Sequence, residues 1–546
     1  MPRNLKNVLL LYTDKYYLIK QVYPFGLDLV ANHLRRHHFN VTIDYPFLPL
    51  PDIETNLIET IKRCQPDAIG LGIRNIDTAM SCEKFGNLEG SGYKTFYFLH
   101  DIKKIVEIIR KVSPHIPIVA GGGAFTVSAE AILEFLEMEY GIIGEGENSL
   151  VQFLKAYPDK KKIHKIPNMV FKVSPGFQVN RRQTYVFNKN SFLNKRNSKF
   201  NYAHETHGLP VTIKRGCNQH CSYCVEPMIE GTKFIFRNHG DIIAELNTIL
   251  ENYTSIKNIF FTDTEFNLPD LTDCSHLVKK ILEAGLHNYL RFSSQFLPKP
   301  FDENFAKLLA ETGFSVILTC DSFADSVLSK NRTSYRQKDI TGTIELCEKF
   351  NIDCTVNLVF GLPGESYKTM DHTVGEMVKY PPNAIRRYEY TIGGRIYQGT
   401  PLSRLVEQLG HDEHLYGEKS KGYLQPYYYC SPDSPPIIKN YLERFLPFSI
   451  DYQNNYDNNR FETLACAYLA DQSRWDEAAA SFLAGSLSSQ IAIYGYLFRK
   501  FADFGKPELA RSISRHLIDA IHQSENVAEY EDQIAVIRYY LSMLAD

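Results

Sequence analysis

Several features are missing from these 546 residues, and each omission narrows the field. No run of 18 apolar residues occurs, so no segment reads as a transmembrane helix. The opening Met1-Pro-Arg-Asn-Leu-Lys-Asn7 has neither the apolar core nor the cleavage pattern of a secretory signal, and the expected location is the cytoplasm. An excess of one charge is also missing. The 60 Lys and Arg stand against 63 Asp and Glu, a formal net charge of −3, which removes the basic footprint of a nucleic-acid binder. Tryptophan is reduced to Trp475, and the aromatic side chains are otherwise Tyr and Phe. Most of these belong in cores, with a fraction left to line a cavity. The cysteines are odd in number and, outside one cluster, scattered, unlike a secreted disulfide framework. No G-x-G-x-x-G turn follows the first strand, which argues against a nicotinamide dinucleotide.

The one cluster is Cys217-Asn-Gln-His-Cys221-Ser-Tyr-Cys224. Three thiolates at this spacing suit three corners of a [4Fe–4S] cube, and the fourth iron stays open to a ligand. Leu209-Pro-Val-Thr-Ile213 reads as a short buried strand, and Lys214-Arg-Gly216 leads off its C-terminal end. Cofactor loops of α/β barrels sit at that end. A zinc knuckle with His220 as fourth ligand is the alternative, though zinc sites usually bring a second ligand pair and none lies nearby. The spacing resembles that of radical S-adenosylmethionine (SAM) enzymes. The resemblance implies that Cys217, Cys221 and Cys224 hold the cluster and that SAM chelates the open iron. It further implies reductive cleavage to a 5′-deoxyadenosyl radical, and an electron donor such as flavodoxin or ferredoxin. Tyr223 matches the aromatic that family members place against adenine, and it is carried forward as a cofactor-binding and catalytic residue.

Residues 1–157 alternate strand and helix. The predicted strands are Val8–Tyr12, Val41–Tyr45, Asp67–Gly72, Ile116–Ala120 and Tyr140–Ile143. Such alternation predicts an open, doubly wound, Rossmann-like parallel sheet that binds ligands at the strands' carboxyl ends. Those ends run into Arg74-Asn-Ile-Asp77, Gly121-Gly-Gly-Ala-Phe125 and Gly144-Glu-Gly-Glu147. Glycines there let a ligand approach the backbone. Together these segments resemble the cobalamin-binding domain of one radical SAM subclass. The likeness assigns cofactor contacts to Arg74, Asn75, Asp77, Gly122, Gly123, Ala124, Phe125, Gly144, Glu145, Gly146 and Glu147. The Asp-x-His-x-x-Gly motif of mutases is missing, so a lower-face histidine ligand is not expected. Arg74 is similar to a residue that tryptophan-methylating relatives place beneath cobalt. Arginine has no lone pair to donate, and its charge would disfavour a sixth ligand. The alternative pairs Arg74 with Asp77 or with a phosphate of the cofactor tail.

After a predicted linker over 158–206, βα repeats resume in a core assigned to 207–410. Predicted strands are Pro210–Lys214, Asn258–Thr262, Leu290–Ser294, Ser315–Thr319, Asp353–Phe360 and Ala384–Thr391. Six units match the partial (β/α)6 barrel of radical SAM enzymes and fall short of a full eight. Segment matching assigns SAM contacts to Thr264, Glu265, Ser294, Asp321, Gly361 and Glu365. Gly394-Arg-Ile-Tyr-Gln-Gly-Thr-Pro-Leu402 resembles a segment of cobalamin-dependent members, with Gln398 where proline is common. Residues 411–546 read as a Tyr-rich loop followed by a mainly helical domain that caps the barrel or meets a partner. Tyr427, Tyr428 and Tyr429 either bound the substrate pocket or pack.

The combined expectation is an α/β chain using a [4Fe–4S] cluster, SAM and cobalamin. The implied activity is methyl transfer through methylcobalamin to an unactivated carbon of a small molecule or peptide, with no nucleic acid or membrane partner. The alternatives are a rearrangement or cyclisation on the same cofactors and a non-catalytic cobalamin and zinc binder.

Overall fold

A computed structural model describes residues 5–49, 52–84, 93–184, 187, 196–253, 256–409, 413–445, 450–451, 458–524 and 527–544. The boundary expected between 410 and 411 lies outside the described residues.

Strands β1 (Asn7–Tyr12), β2 (Asn40–Asp44), β3 (Ala68–Gly72), β4 (Ile118–Gly121) and β5 (Tyr140–Ile142) form a parallel sheet in the order β2-β1-β3-β4-β5. Residues Val8 to Tyr12 are all buried, as expected of a central parallel strand covered by helices on both faces. Two further strands, β6 (Met169–Lys172) and β7 (Phe177–Val179), add antiparallel at the β5 edge. The stretch predicted as linker therefore supplies sheet. Its signal was weak because β7 lies at the solvent edge and mixes exposed with half-buried residues.

The second sheet is wholly parallel. It runs β8 (Leu209–Val211), β9 (Asn258–Phe261), β10 (Arg291–Phe296), β11 (Phe314–Asp321), β12 (Cys354–Phe360) and β13 (Arg386–Ile392) in chain order, with Ile450–Asp451 beside β13. The six predicted strands are present, with ends shifted by up to three residues. Along β11 and β12 every second residue is buried and its neighbours are half-buried. The buried set (Val316, Leu318, Val356, Leu358) packs with helix residues such as Leu309, Ile344 and Met370. The alternate set faces the barrel interior, because successive side chains leave opposite faces of a strand.

The C-terminal helices depart from the expected cap. Helix Asn458–Asp471, not predicted, lays Leu464, Ala465 and Tyr468 into the same core as the first sheet. The Tyr468 hydroxyl donates to Asp44 Oδ1 at 2.8 Å, and Asp471 Oδ2 accepts the Tyr202 N–H at 3.0 Å. Helices Trp475–Ala484, Leu487–Asp503, Pro507–His522 and Glu531–Ser542 pack around a separate core that includes Phe482, Leu497 and Phe501. The bundle thus docks on the first domain. None of the described helices is long and apolar enough to cross a membrane.

Candidate active site

The cysteine loop starts where β8 ends. Asp263, just past β9, accepts the N–H groups of Ile213 and Lys214 at 3.0 and 2.9 Å and the Thr212 hydroxyl at 3.0 Å. It thereby fixes the turn that launches the loop. Gly216 follows at φ +104°, where an added Cβ would lie 2.3 Å from the Lys233 carbonyl oxygen, so only glycine fits. Its N–H donates to Glu230 at 3.1 Å, and the Cys217 N–H donates to the Gly231 carbonyl at 3.0 Å. Midway, Ser222 donates through its hydroxyl to Asn331 Oδ1 (2.6 Å) and through its N–H to the Asn331 carbonyl (3.0 Å). The loop is held at its start and middle by hydrogen bonds within the protein.

Cys217 is buried, while Cys221 and Cys224 are half-buried. Burial pushes all three thiols up, Cys217 to about 11, and each lies within electrostatic reach of another. Such thiols ionise when a coordinated cation supplies the compensating charge, and the donor set fits an iron–sulfur cluster on this ground. Among the described residues, no three His, Cys, Asp or Glu side chains converge tightly enough for a single ion.

Around the thiols stand carboxyls. Glu265 is pushed up to about 8 by burial, with Asp321 and Glu226 adding repulsion, and its buried Oε2 has no partner. Burial takes Glu226 to about 7, and Glu230 is also raised. Thr264 donates to Glu230 at 3.2 Å. Asp321 sits at φ +57° at the end of β11, clamped by hydroxyls from Tyr223 (2.6 Å) and Tyr335 (3.1 Å). Gly361, at φ +86°, lies against Cys430 and Gly393, where a Cβ would come 2.7 Å from the Cys430 sulfur. Glu365 takes the Thr369 hydroxyl and leaves its other buried oxygen unpartnered. Ser294 is fully buried and donates to the Phe261 carbonyl at 2.9 Å. Its hydroxyl is spent inside the sheet and does not reach the cavity.

The strand ends of the first sheet face this loop. Arg74 pairs with the buried Asp14 at 3.0 Å, and Asn75 donates to the same oxygen at 3.0 Å. Of the partners weighed for Arg74 from the sequence, Asp77 is occupied elsewhere. Its Oδ2 accepts from Arg395 Nε at 3.0 Å and lies 2.9 Å from the terminal nitrogen, while Oδ1 accepts the Ala79 N–H at 2.8 Å. Gly122, at φ +110°, brings the glycine turn onto β3; a Cβ there would sit 2.4 Å from the Ile73 carbonyl oxygen. The Ala124 N–H donates to the Arg74 carbonyl at 2.9 Å, and an added Cβ on Gly123 would lie 3.3 Å from that oxygen. Phe125 has no exposed surface and fills the space over Gly141. Its ring is core and not part of the cavity wall.

The segment Gly144–Glu147 reaches the cysteine loop directly. Glu147 pairs with Arg215 at 3.2 Å, and Glu145 pairs with Arg182 at 3.3 Å. Arg182 also donates to the carbonyls of Met228 and Ile229, which end the short helix after Cys224. Gly144 (φ +63°) lies under the Arg182 guanidinium, and Gly146 near Val30. Asp14, Arg182, Arg215, Glu226 and Glu230 went unrecognised in the sequence. Glu226 and Glu230 carried one signal, two acids four residues apart directly after the cysteines, whereas Asp14 and Arg182 had none.

Residues 211–377 match the model of the Radical SAM superfamily. A tryptophan 2-C-methyltransferase of Streptomyces laurentii is 22% identical over 515 residues, spanning 82% of this chain and 81% of that protein. Among solved structures, the radical SAM methyltransferase TsrM of Kitasatospora setae, with cobalamin and a [4Fe–4S] cluster bound, superposes with a TM-score of 0.70 at 20% identity. That match covers 87% of this chain and 99% of TsrM. The cobalamin-dependent SAM radical enzyme OxsB, with aqua-cobalamin bound, gives 0.63 at 15% identity over 99% of this chain and 84% of that one. A thiol loop launched from the first strand of a partial barrel, behind a doubly wound domain, thus lies in a segment that matches a radical SAM domain, in a chain folded like the cobalamin-binding enzymes TsrM and OxsB.

Proposed function

We propose that the chain is a cobalamin-dependent radical SAM methyltransferase acting on a small molecule. One observation carries this reading: the strand-end loops of the first sheet are pinned by Glu147–Arg215 to the residue two before Cys217. A ligand on those loops and a cluster on the cysteines would share one chamber. The similarity to a tryptophan methyltransferase across four-fifths of both chains supports methyl transfer, and the rearrangement alternative is not favoured.

Cys217, Cys221 and Cys224 would hold the cluster. Arg74, Asn75 and the turns at Gly121–Ala124 and Gly144–Glu147 would border cobalamin. Glu265, Asp321 and Glu365 would line the SAM site. When bound, these groups supply one-electron chemistry and a methyl carrier, while the protein supplies orientation and electrostatics. Asp14 holds the Arg74 guanidinium so that its charge is compensated on one side. Tyr223 and Tyr335 keep the Asp321 carboxylate hydrogen-bonded until a ligand competes for it. The first domain meets the barrel's cofactor end through Glu147 and Arg215.

Anaerobic reconstitution with iron, sulfide and cobalamin, followed by metal counts, tests the reading. About four irons and one cobalamin per chain are expected, and a product heavier by one methyl group. Iron uptake without cobalamin uptake would overturn the methyltransferase reading.

A further inference from the structure

The segment Gly394–Leu402, which follows β13, touches both walls of the candidate site. Arg395 reaches Asp77, on the loop that carries Arg74, with its Nε 3.0 Å from Oδ2. At the other end the Leu402 N–H donates to the Ser222 carbonyl, inside the cysteine loop, at 2.8 Å. Between them Gly399 turns against Met228, where an added Cβ would lie 3.1 Å from the Met228 methyl carbon. Met228 belongs to the short helix Glu226–Ile229, and Ile229 would lie 3.5 Å from a Cβ on Gly123. The segment therefore spans the seam between the cysteine loop and the glycine turn of the first sheet.

Tyr397 stands in the middle of this segment. The Arg395 guanidinium lies 5.0 Å from its ring centroid, and that guanidinium is itself held by Asp77 and by the carbonyls of Ile396 and Tyr423. One face of the ring is thereby fixed. Two neighbouring tyrosines spend their hydroxyls within the protein, Tyr423 on Glu407 at 3.3 Å and Tyr428 on Thr95 at 2.9 Å. The half-buried Tyr397 makes no such bond: its hydroxyl has no partner among the described residues, and only its backbone carbonyl is engaged, by Thr400 at 2.8 Å. Burial pushes its phenol above the usual range, with Asp77, Cys224 and Glu226 in electrostatic reach. The hydroxyl therefore keeps its proton and is a donor. An anionic acceptor would be repelled by Glu226 and by a thiolate at Cys224, so a neutral carbonyl suits the place. The rim of a corrin carries amide side chains, whose carbonyl oxygens are such acceptors.

We propose that Tyr397 is a cobalamin-binding residue supplied by the barrel, its hydroxyl donating to an amide carbonyl on the corrin rim. The inference deepens the methyltransferase reading and rests on it. Cobalamin is then held from two sides, by the strand-end loops of the first sheet and by Gly394–Leu402, and its binding reports on the seam between the two units.

The test is equilibrium binding of hydroxocobalamin to the full-length, cluster-loaded protein, read from the corrin absorbance retained after ultrafiltration. Tyr397→Phe should weaken binding about fivefold or more, the weight of one hydrogen bond. Tyr423→Phe, which removes a hydroxyl already spent on Glu407, should stay within twofold of wild type. Cobinamide keeps the corrin amides and lacks the nucleotide tail, so Tyr397→Phe should weaken it by the same factor. Without corrinoid, the iron count and melting temperature of Tyr397→Phe should match wild type, since the lost hydroxyl meets no protein group. Binding by Tyr397→Phe within twofold of wild type overturns the assignment. A loss confined to cobalamin places the hydroxyl against the tail and also overturns it, as does a fall in iron or melting temperature, which marks a structural role. Wild-type protein that takes up neither corrinoid overturns the underlying methyltransferase reading instead.

Discussion

Arg395 and Asp77 form a buried ion pair across the two α/β units, with guanidinium nitrogens 3.0 and 2.9 Å from one carboxylate oxygen. Arg395 belongs to the Gly394–Leu402 segment, and Asp77 ends the loop that carries Arg74. The same guanidinium donates to the carbonyls of Ile396 and Tyr423 at 2.8 and 2.9 Å and lies over the Tyr397 ring. The pair is therefore a fastener between barrel and first domain.

Breaking it from one side leaves a buried charge. Arg395→Met should cost on the order of 3–5 kcal/mol, and Arg395→Lys should recover only part, since an ammonium cannot reproduce the planar fork. Denaturant melts check the stability. Cobalamin affinity should fall with it, because Arg74 sits on the loop that is released.

Glu147→Gln or Arg215→Met should lower iron retention without removing a thiol. The pair steadies the approach to Cys217 at 3.2 Å. Iron counts after desalting should fall below wild type in either variant while circular dichroism stays unchanged. Unchanged retention would show that the hydrogen bonds around Gly216 and Ser222 hold the loop unaided.

Tyr223→Phe removes one of the two hydroxyls on Asp321 and leaves Tyr335 in place. Iron content should match wild type. SAM affinity should change several-fold, measured by equilibrium dialysis, as the carboxylate becomes freer to meet a ligand.

Burial raises Glu365 from 4.5 to about 7. Between those values the folded chain keeps the proton and the unfolded chain loses it, so stability falls as pH rises through the window. The loss approaches on the order of 3 kcal/mol above the upper value. Glu365→Gln should flatten that part of the stability–pH curve in urea melts at pH 5, 6 and 7.

Much of this was legible in the residues. The five strands of the first sheet and the six of the barrel stood out because runs such as Val8–Tyr12 are buried on both faces, and the turns after them are glycine-rich. The cysteine loop was legible because its chemistry depends on local spacing. The partners of the expected site residues were not. Arg74 meets Asp14, sixty positions away, and Asp77 meets Arg395 across more than three hundred. Such pairs leave no periodic trace. Phe125 and Ser294 sat in the right segments with side chains turned inward, a matter of one strand or turn register. Helix Asn458–Asp471 escaped because it presents buried residues all along Leu464–Asp471 and lacks a clear polar face.

Tyr468 and its neighbours complete a core whose other members begin at Leu5. Synthesis is therefore out of step with assembly. When the ribosome has released the first sheet, the side chains that finish covering it are still hundreds of residues from being made. The barrel must emerge in between, and the N-terminal unit waits in an incomplete state until the final helices arrive. Nascent chains halted before Asn458 should expose the apolar surface around Tyr45 and Phe200 to chaperones and proteases, and full-length release should withdraw it.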